Sequence, residues 1–254
     1  MGLLKMKMNR YRSVIILILL FLAIPVFFCL GRTVSAHAPL LKDLYEIKLE
    51  DVDRLYFDID GADIYFVKDL ENVYISDELE FDLRGGRLRI YSPKKSIFDF
   101  VSRTHVVVVG TKNKYRLLDI DAGGLNLSGV LHAEELKINA GGIDMEGEYY
   151  IEHININGAG IDISGLIRGD YLRVNGAGID IELDVIGLEE IRINGAGLDV
   201  DLKYLDGWEG SRLISVNAVG GELEVKVPAD NRMEEDGHLE INKKGIIDVD
   251  VEYY

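Results

Sequence analysis

From Leu118 onward the chain alternates apolar and polar residues in short runs, and the runs return at a fixed interval. The copies can be aligned on a recurring Asn: Asp121 (in place of Asn), Asn139, Asn157, Asn175, Asn194 and Asn217, spaced by 18, 18, 18, 19 and 23 residues. Three residues before it stand Leu118, Leu136, Ile154, Leu172, Ile191 and Ile214. One residue before it stand Ile120, Ile138, Ile156, Val174, Ile193 and Val216. Four residues after it come Leu125, Ile143, Ile161, Ile179, Leu198 and Gly221, and six after it Leu127, Met145, Ile163, Ile181, Val200 and Leu223. Of these 24 positions 23 are bulky and apolar. Each pair of columns has the period of two that marks a strand with one buried face. The parity changes between Asn and the Gly three residues on, which predicts a corner there, with that Gly supplying a permissive backbone.

A period near 18 residues, with short strands and no helical periodicity, predicts an all-β chain wound as a parallel β-solenoid. Like positions then stack about 4.8 Å apart. The apolar columns fill the interior, and the Asn column forms a ladder of side-chain amides along one corner. Such a stack needs covered ends. Residues 37–104 are strand-rich and suit an N-terminal cap. Within them Gly85-Gly86 reads as a hairpin turn and "DIDGADIYF" from Asp58 as a degenerate repeat. Repeats then run over 105–227, and 228–254 supplies a closing strand region.

This organisation resembles the putative-adhesin domains of bacteria and archaea. The likeness rests on an extended strand region, repeated strand–Gly–strand units, a final "GGELEVKVP" and a short terminal strand, and it covers roughly residues 50–254. The resemblance implies a single-stranded right-handed β-helix. It implies no catalytic motif, so no functional residue is carried over.

The first 36 residues differ from the rest. Five basic residues and no acid accompany Val14 to Leu30, 17 non-polar residues in succession. As a helix these would span about 26 Å, close to the roughly 30 Å of a bilayer core. The basic flank predicts a cytoplasmic N-terminus and an extracytoplasmic body held by a single membrane anchor. Val34-Ser35-Ala36 also fits a signal-peptide cleavage site, which would instead release the body.

Beyond residue 36 the chain carries 23 basic and 44 acidic side chains. That balance excludes nucleic acid as a natural partner. The acids are not scattered. Five residues after the Asn come Asn126, Asp144, Asp162, Asp180, Asp199 and Glu222, and seven after it Ser128, Glu146, Ser164, Glu182, Asp201 and Glu224. In a register-matched stack, Asp144, Glu146, Asp162, Asp180, Glu182, Asp199 and Asp201 form a carboxylate face. Its candidate partners are a protein, a glycan or a cation, with Ca2+ the cation best matched to clustered oxygens. The fullest insertion surrounds "YLDGWEGS" from Tyr204 and carries the single tryptophan, Trp208, a candidate partner contact.

No nucleophile–base signature or metal-ligand spacing stands out among the five histidines. The expectation is therefore a non-catalytic surface module for binding, adhesion or scaffolding. The alternative is an extracytoplasmic carbohydrate-active enzyme, since a β-helix face can present paired acids to a sugar.

Overall fold

The computed structural model describes residues 41–93, 104–229 and 237–254, and these lie in one compact unit, Pro39–Tyr254. The apolar run Val14–Leu30 and the cleavage candidate Val34–Ala36 lie outside them. No helix among the described residues is long and apolar enough to cross a membrane.

The described residues are almost all strand: β1 (Tyr45–Ile47), β2 (Arg54–Ile59), β3 (Ala62–Val67), β4 (Val73–Ile75), β5 (Glu80–Arg84), β6 (Arg87–Tyr91), β7 (His105–Gly110), β8 (Tyr115–Arg168), β9 (Tyr171–Asn175), β10 (Gly178–Ile186), β11 (Glu190–Tyr204), β12 (Gly210–Val227), β13 (Gly237–Gly245) and β14 (Asp248–Tyr253). β8 alone is 54 residues long. Straight, it would reach about 180 Å. Yet Asn139 Nδ2 lies 2.9 Å from Asp121 Oδ1, and Asn157 Nδ2 lies 2.9 Å from Asn139 Oδ1. The chain therefore folds back onto itself once every 18 residues.

The pairing between repeats is parallel and follows the sequence alignment. Asn157 faces Asn175, Asn175 faces Asn194, and Asn194 faces Asn217. The extra residues of the two longer repeats leave this register untouched, because they fall in the connections 187–189 and 205–209. All 23 apolar residues of the four columns are buried. A further interior column stands ten residues after the Asn: Leu131, Tyr149, Ile167, Val185, Tyr204 and Val227, all buried. Its mixture of aliphatic and aromatic residues hid it in the sequence.

The position that requires glycine differs from the expected one. None of the glycines three residues after the Asn has a positive φ. A Cβ added at Gly124, Gly142, Gly178, Gly197 or Gly220 would meet nothing within 4 Å. The strained position lies eight residues after the Asn, at Gly129, Gly147 and Gly165, with φ of 112°, 153° and 112°. A Cβ there would sit 2.0–2.2 Å from the carbonyl oxygen of the neighbouring repeat. Only glycine admits that approach.

At the N-terminal end the stacking order departs from the chain order. β2 and β3 pair with the first repeat of β8, placing Asp58 opposite Asp121 and Ala62 opposite Leu125. On their other side β2 pairs with β6, and β3 with β7. The later strands β6 and β7 thus lie outside β2 and β3, and β7 pairs with β3 and β4 rather than with the repeat that follows it in sequence. Antiparallel strands then cover this end: β5 on β6 through the Gly85-Gly86 turn, β4 on β7, and β1 on β4. At the opposite end β13 and β14 pair only with β12. There Lys243 stands in register with buried Val216, a charge in a core column that disfavours further stacking.

Candidate functional site

The acidic columns come together as the register requires. Asp162 faces Asp180, Asp180 faces Asp199, and Asp199 faces Glu222. In the second column Ser164 faces Glu182, Glu182 faces Asp201, and Asp201 faces Glu224. Asp144, Glu146, Asp162, Asp180, Glu182 and Asp199 are exposed, and Asp201 is half-buried. The intervening residues Ile161, Ile163, Ile179, Ile181, Leu198 and Val200 point inward and hold the acids at fixed spacing. One strand thus serves both core and face, through its period of two.

The face is electrostatically loaded. Burial, followed by the charges of Asp144 and Asp180, holds the Asp162 carboxyl above the usual carboxylate range. Burial, then Glu146, does the same for Asp144. Like charges about 4.8 Å apart repel by about 0.9 kcal/mol even in bulk water.

Two features escaped the sequence reading. β14 adds another acidic pair, with Asp248 opposite Glu222 and Asp250 opposite Glu224. The alternation in "DVDVEY" was visible, but its register was set by a connection with no counterpart in the other repeats. Lys226 relieves one end of the second column. Its Nζ lies 3.1 Å from Asp201 and 3.0 Å from Glu224, and these bonds raise its pKa. Towards Asp144 and Asp162 no such cation is paired among the described residues. No group of three or more His, Cys, Asp or Glu side chains there is arranged to hold a metal ion.

Trp208, expected at a partner contact, is packed inward. It is 7% exposed, with its ring 4.9 Å from that of Tyr204 and the Arg212 guanidinium 5.8 Å from its centre. The insertion folds inward because an indole beside a core tyrosine buries more apolar area than it would in solvent. Just past Arg168, the last residue of β8, a Cβ on Gly169 would fall 1.8 Å from the carbonyl oxygen of Ile151, so that glycine serves close packing.

The Asn corner forms a directed ladder. Each amide nitrogen donates to the residue one repeat earlier, from Asn194 to Asn175, Asn157, Asn139 and finally Asp121, at 2.9–3.0 Å. Asp121 suits the terminal place, because a carboxylate accepts and need not donate.

No protein-family model matches the chain, and no curated protein matches it. Solved structures do. A putative adhesin from Bacteroides fragilis is 13% identical, with a TM-score of 0.50 over 82% of this chain and 95% of its own. A putative lipid binding protein from Parabacteroides distasonis is 17% identical, with a TM-score of 0.45 over 83% and 96%. A putative adhesin from Parabacteroides merdae is 12% identical, with a TM-score of 0.42 over 83% and 95%. The likeness to the Bacteroides fragilis protein is one of fold.

Proposed function

We propose that this chain is a non-catalytic cell-surface binding module of the putative-adhesin type. In this reading it is a right-handed β-solenoid held at the membrane by its N-terminal apolar segment, and its acidic face engages a cationic partner. The observation that carries it is the acidic double column, set in register on a rigid sheet. Burial and neighbouring carboxylates raise the pKa values of Asp144 and Asp162 there, a cost that stacking alone does not require. The fold shared with a Bacteroides fragilis protein described as a putative adhesin supports it further. The acids follow the repeat and single out no pair of carboxyls flanking a bond, which favours binding over glycoside hydrolysis.

The test is adhesion of beads carrying the full chain to intact cells of its source. The double variant Asp162→Asn/Asp180→Asn should retain severalfold fewer beads, and added salt should weaken the wild type likewise. Equal retention by both proteins would remove the acidic face from the reading. Hydrolysis of any member of a polysaccharide panel, lost in the double variant, would replace the reading with the enzyme.

A further inference from the structure

The repeat also builds a feature of opposite sign. Near the C-terminal end of the stack a groove of about 390 Å³ gathers Arg173, Arg192, Lys243 and Lys244 with Ser215 and Asn217. The four cations come from three different strands, β9, β11 and β13. The register explains their meeting. Arg173 faces Arg192, Arg192 faces Ser215, and in the neighbouring column Asn217 faces Lys244. All four cations are exposed. Arg192 is paired with Glu190 on its own strand. Arg173, Lys243 and Lys244 make no ion pair with the described residues. In a body with 23 basic and 44 acidic side chains beyond residue 36, this is a marked local reversal.

The amide ladder stops at the same place. Asn194 donates to Asn175, but Asn217 makes no side-chain hydrogen bond with the described residues. It offers the groove a free donor and a free acceptor beside the serine hydroxyl. Cations, an amide and a hydroxyl together suit a ligand that carries both carboxylates and hydroxyl groups.

Spacing narrows the class. Successive groups along the groove rise by about 4.8 Å per repeat. That is close to the length of one pyranose unit in a sugar chain. An extended acidic peptide presents same-face side chains every 6.8 Å or so, and falls out of step. We propose that this groove binds an acidic polysaccharide of the polyuronate class. The two arginines take successive carboxylates and the lysines one two repeats further on, while Ser215 and Asn217 between them take ring hydroxyls. The site lies on different columns from the acidic face, so it stands or falls separately from the function proposed above.

Isothermal titration of the full chain in mild detergent with a galacturonate hexamer tests it. The hexamer should bind, and Arg173→Gln or Lys243→Gln should each weaken it about tenfold or more. Both side chains are exposed, so an unchanged Tm in each variant shows that folding is intact. A neutral maltohexaose should not bind. No binding of the galacturonate, equal affinity in the variants, or equally tight binding of a hexaglutamate peptide would each overturn the proposal. Because the bead assay varies only the acidic face, its failure leaves this result unaffected.

Discussion

Two columns of the same repeat, five residues apart, make opposite use of the same spacing. The Asn column stacks groups that both donate and accept, and every member from Asn139 to Asn194 bonds to the one before. The Asp column stacks groups that only accept when ionised, so its neighbours can only repel. Both sit on backbone held by buried apolar neighbours, Ile156 beside Asn157 and Ile161 and Ile163 beside Asp162. A parallel stack amplifies whatever chemistry it repeats: a weak attraction becomes a rail along the molecule, and a weak repulsion becomes a charged surface. The first serves the fold. The second is tolerated by the fold and is the candidate for function.

That contrast can be broken from below. Ile156, next to Asn157, is fully buried, and Ile156→Ala should cost about 3–4 kcal/mol in urea unfolding. A much smaller loss would mean that the interior does not hold the register on which both columns depend. Gly147→Ala comes next, since its Cβ would lie 2.1 Å from the Gly129 carbonyl oxygen. A loss of about 2–3 kcal/mol is expected from the same measurement.

Smaller effects sharpen the comparison. Asn157→Ala removes two ladder bonds at an exposed corner and should cost about 1 kcal/mol. Asn157→Asp converts one rung to the other column's chemistry. It can accept from Asn175 but cannot donate to Asn139, so at neutral pH it should be less stable than the alanine variant. Its deficit should shrink in acid, where the protonated carboxyl donates again; a pH-independent deficit would contradict the ladder's direction.

The wild-type acids supply a pH dependence of definite sign. Asp144 and Asp162 have pKa values raised in the folded chain, by burial first and then by neighbouring carboxylates. The folded state therefore holds their protons more tightly than the unfolded state. Their contribution is most favourable below the unfolded carboxylate pKa and is lost as pH rises through the folded values. Asp162→Asn should remove the Asp162 share of this dependence and leave that of Asp144, with a gain of about 0.5 kcal/mol at pH 7 that fades in acid.

Much of the scaffold was legible because period and register are one-dimensional facts. The Asn, Leu/Ile and Asp columns could be read off an alignment of the chain with itself. Other features needed contacts the sequence does not order. The pairing of β2 and β3 between β8 and the later β6 and β7 is non-local. The column from Leu131 to Val227 varied too much in size to announce itself. The need for glycine fell at Gly129, Gly147 and Gly165, since a close carbonyl, not the change of parity, sets it. Trp208 looked like a contact because it sits in an insertion, yet Tyr204 offered it an apolar wall. The basic groove was hidden for a further reason: Lys244 joins the Asn column only after a gap of 27 residues from Asn217.

The central claim is that the acidic columns are kept at a cost to the fold. Thermal melting of Asp162→Asn/Asp180→Asn against wild type at pH 7 and low ionic strength tests it most directly. The account predicts a Tm higher by about 2–4 °C, from roughly 1 kcal/mol of relieved repulsion. A lower Tm would show that these carboxylates stabilise the stack, and would contradict the account.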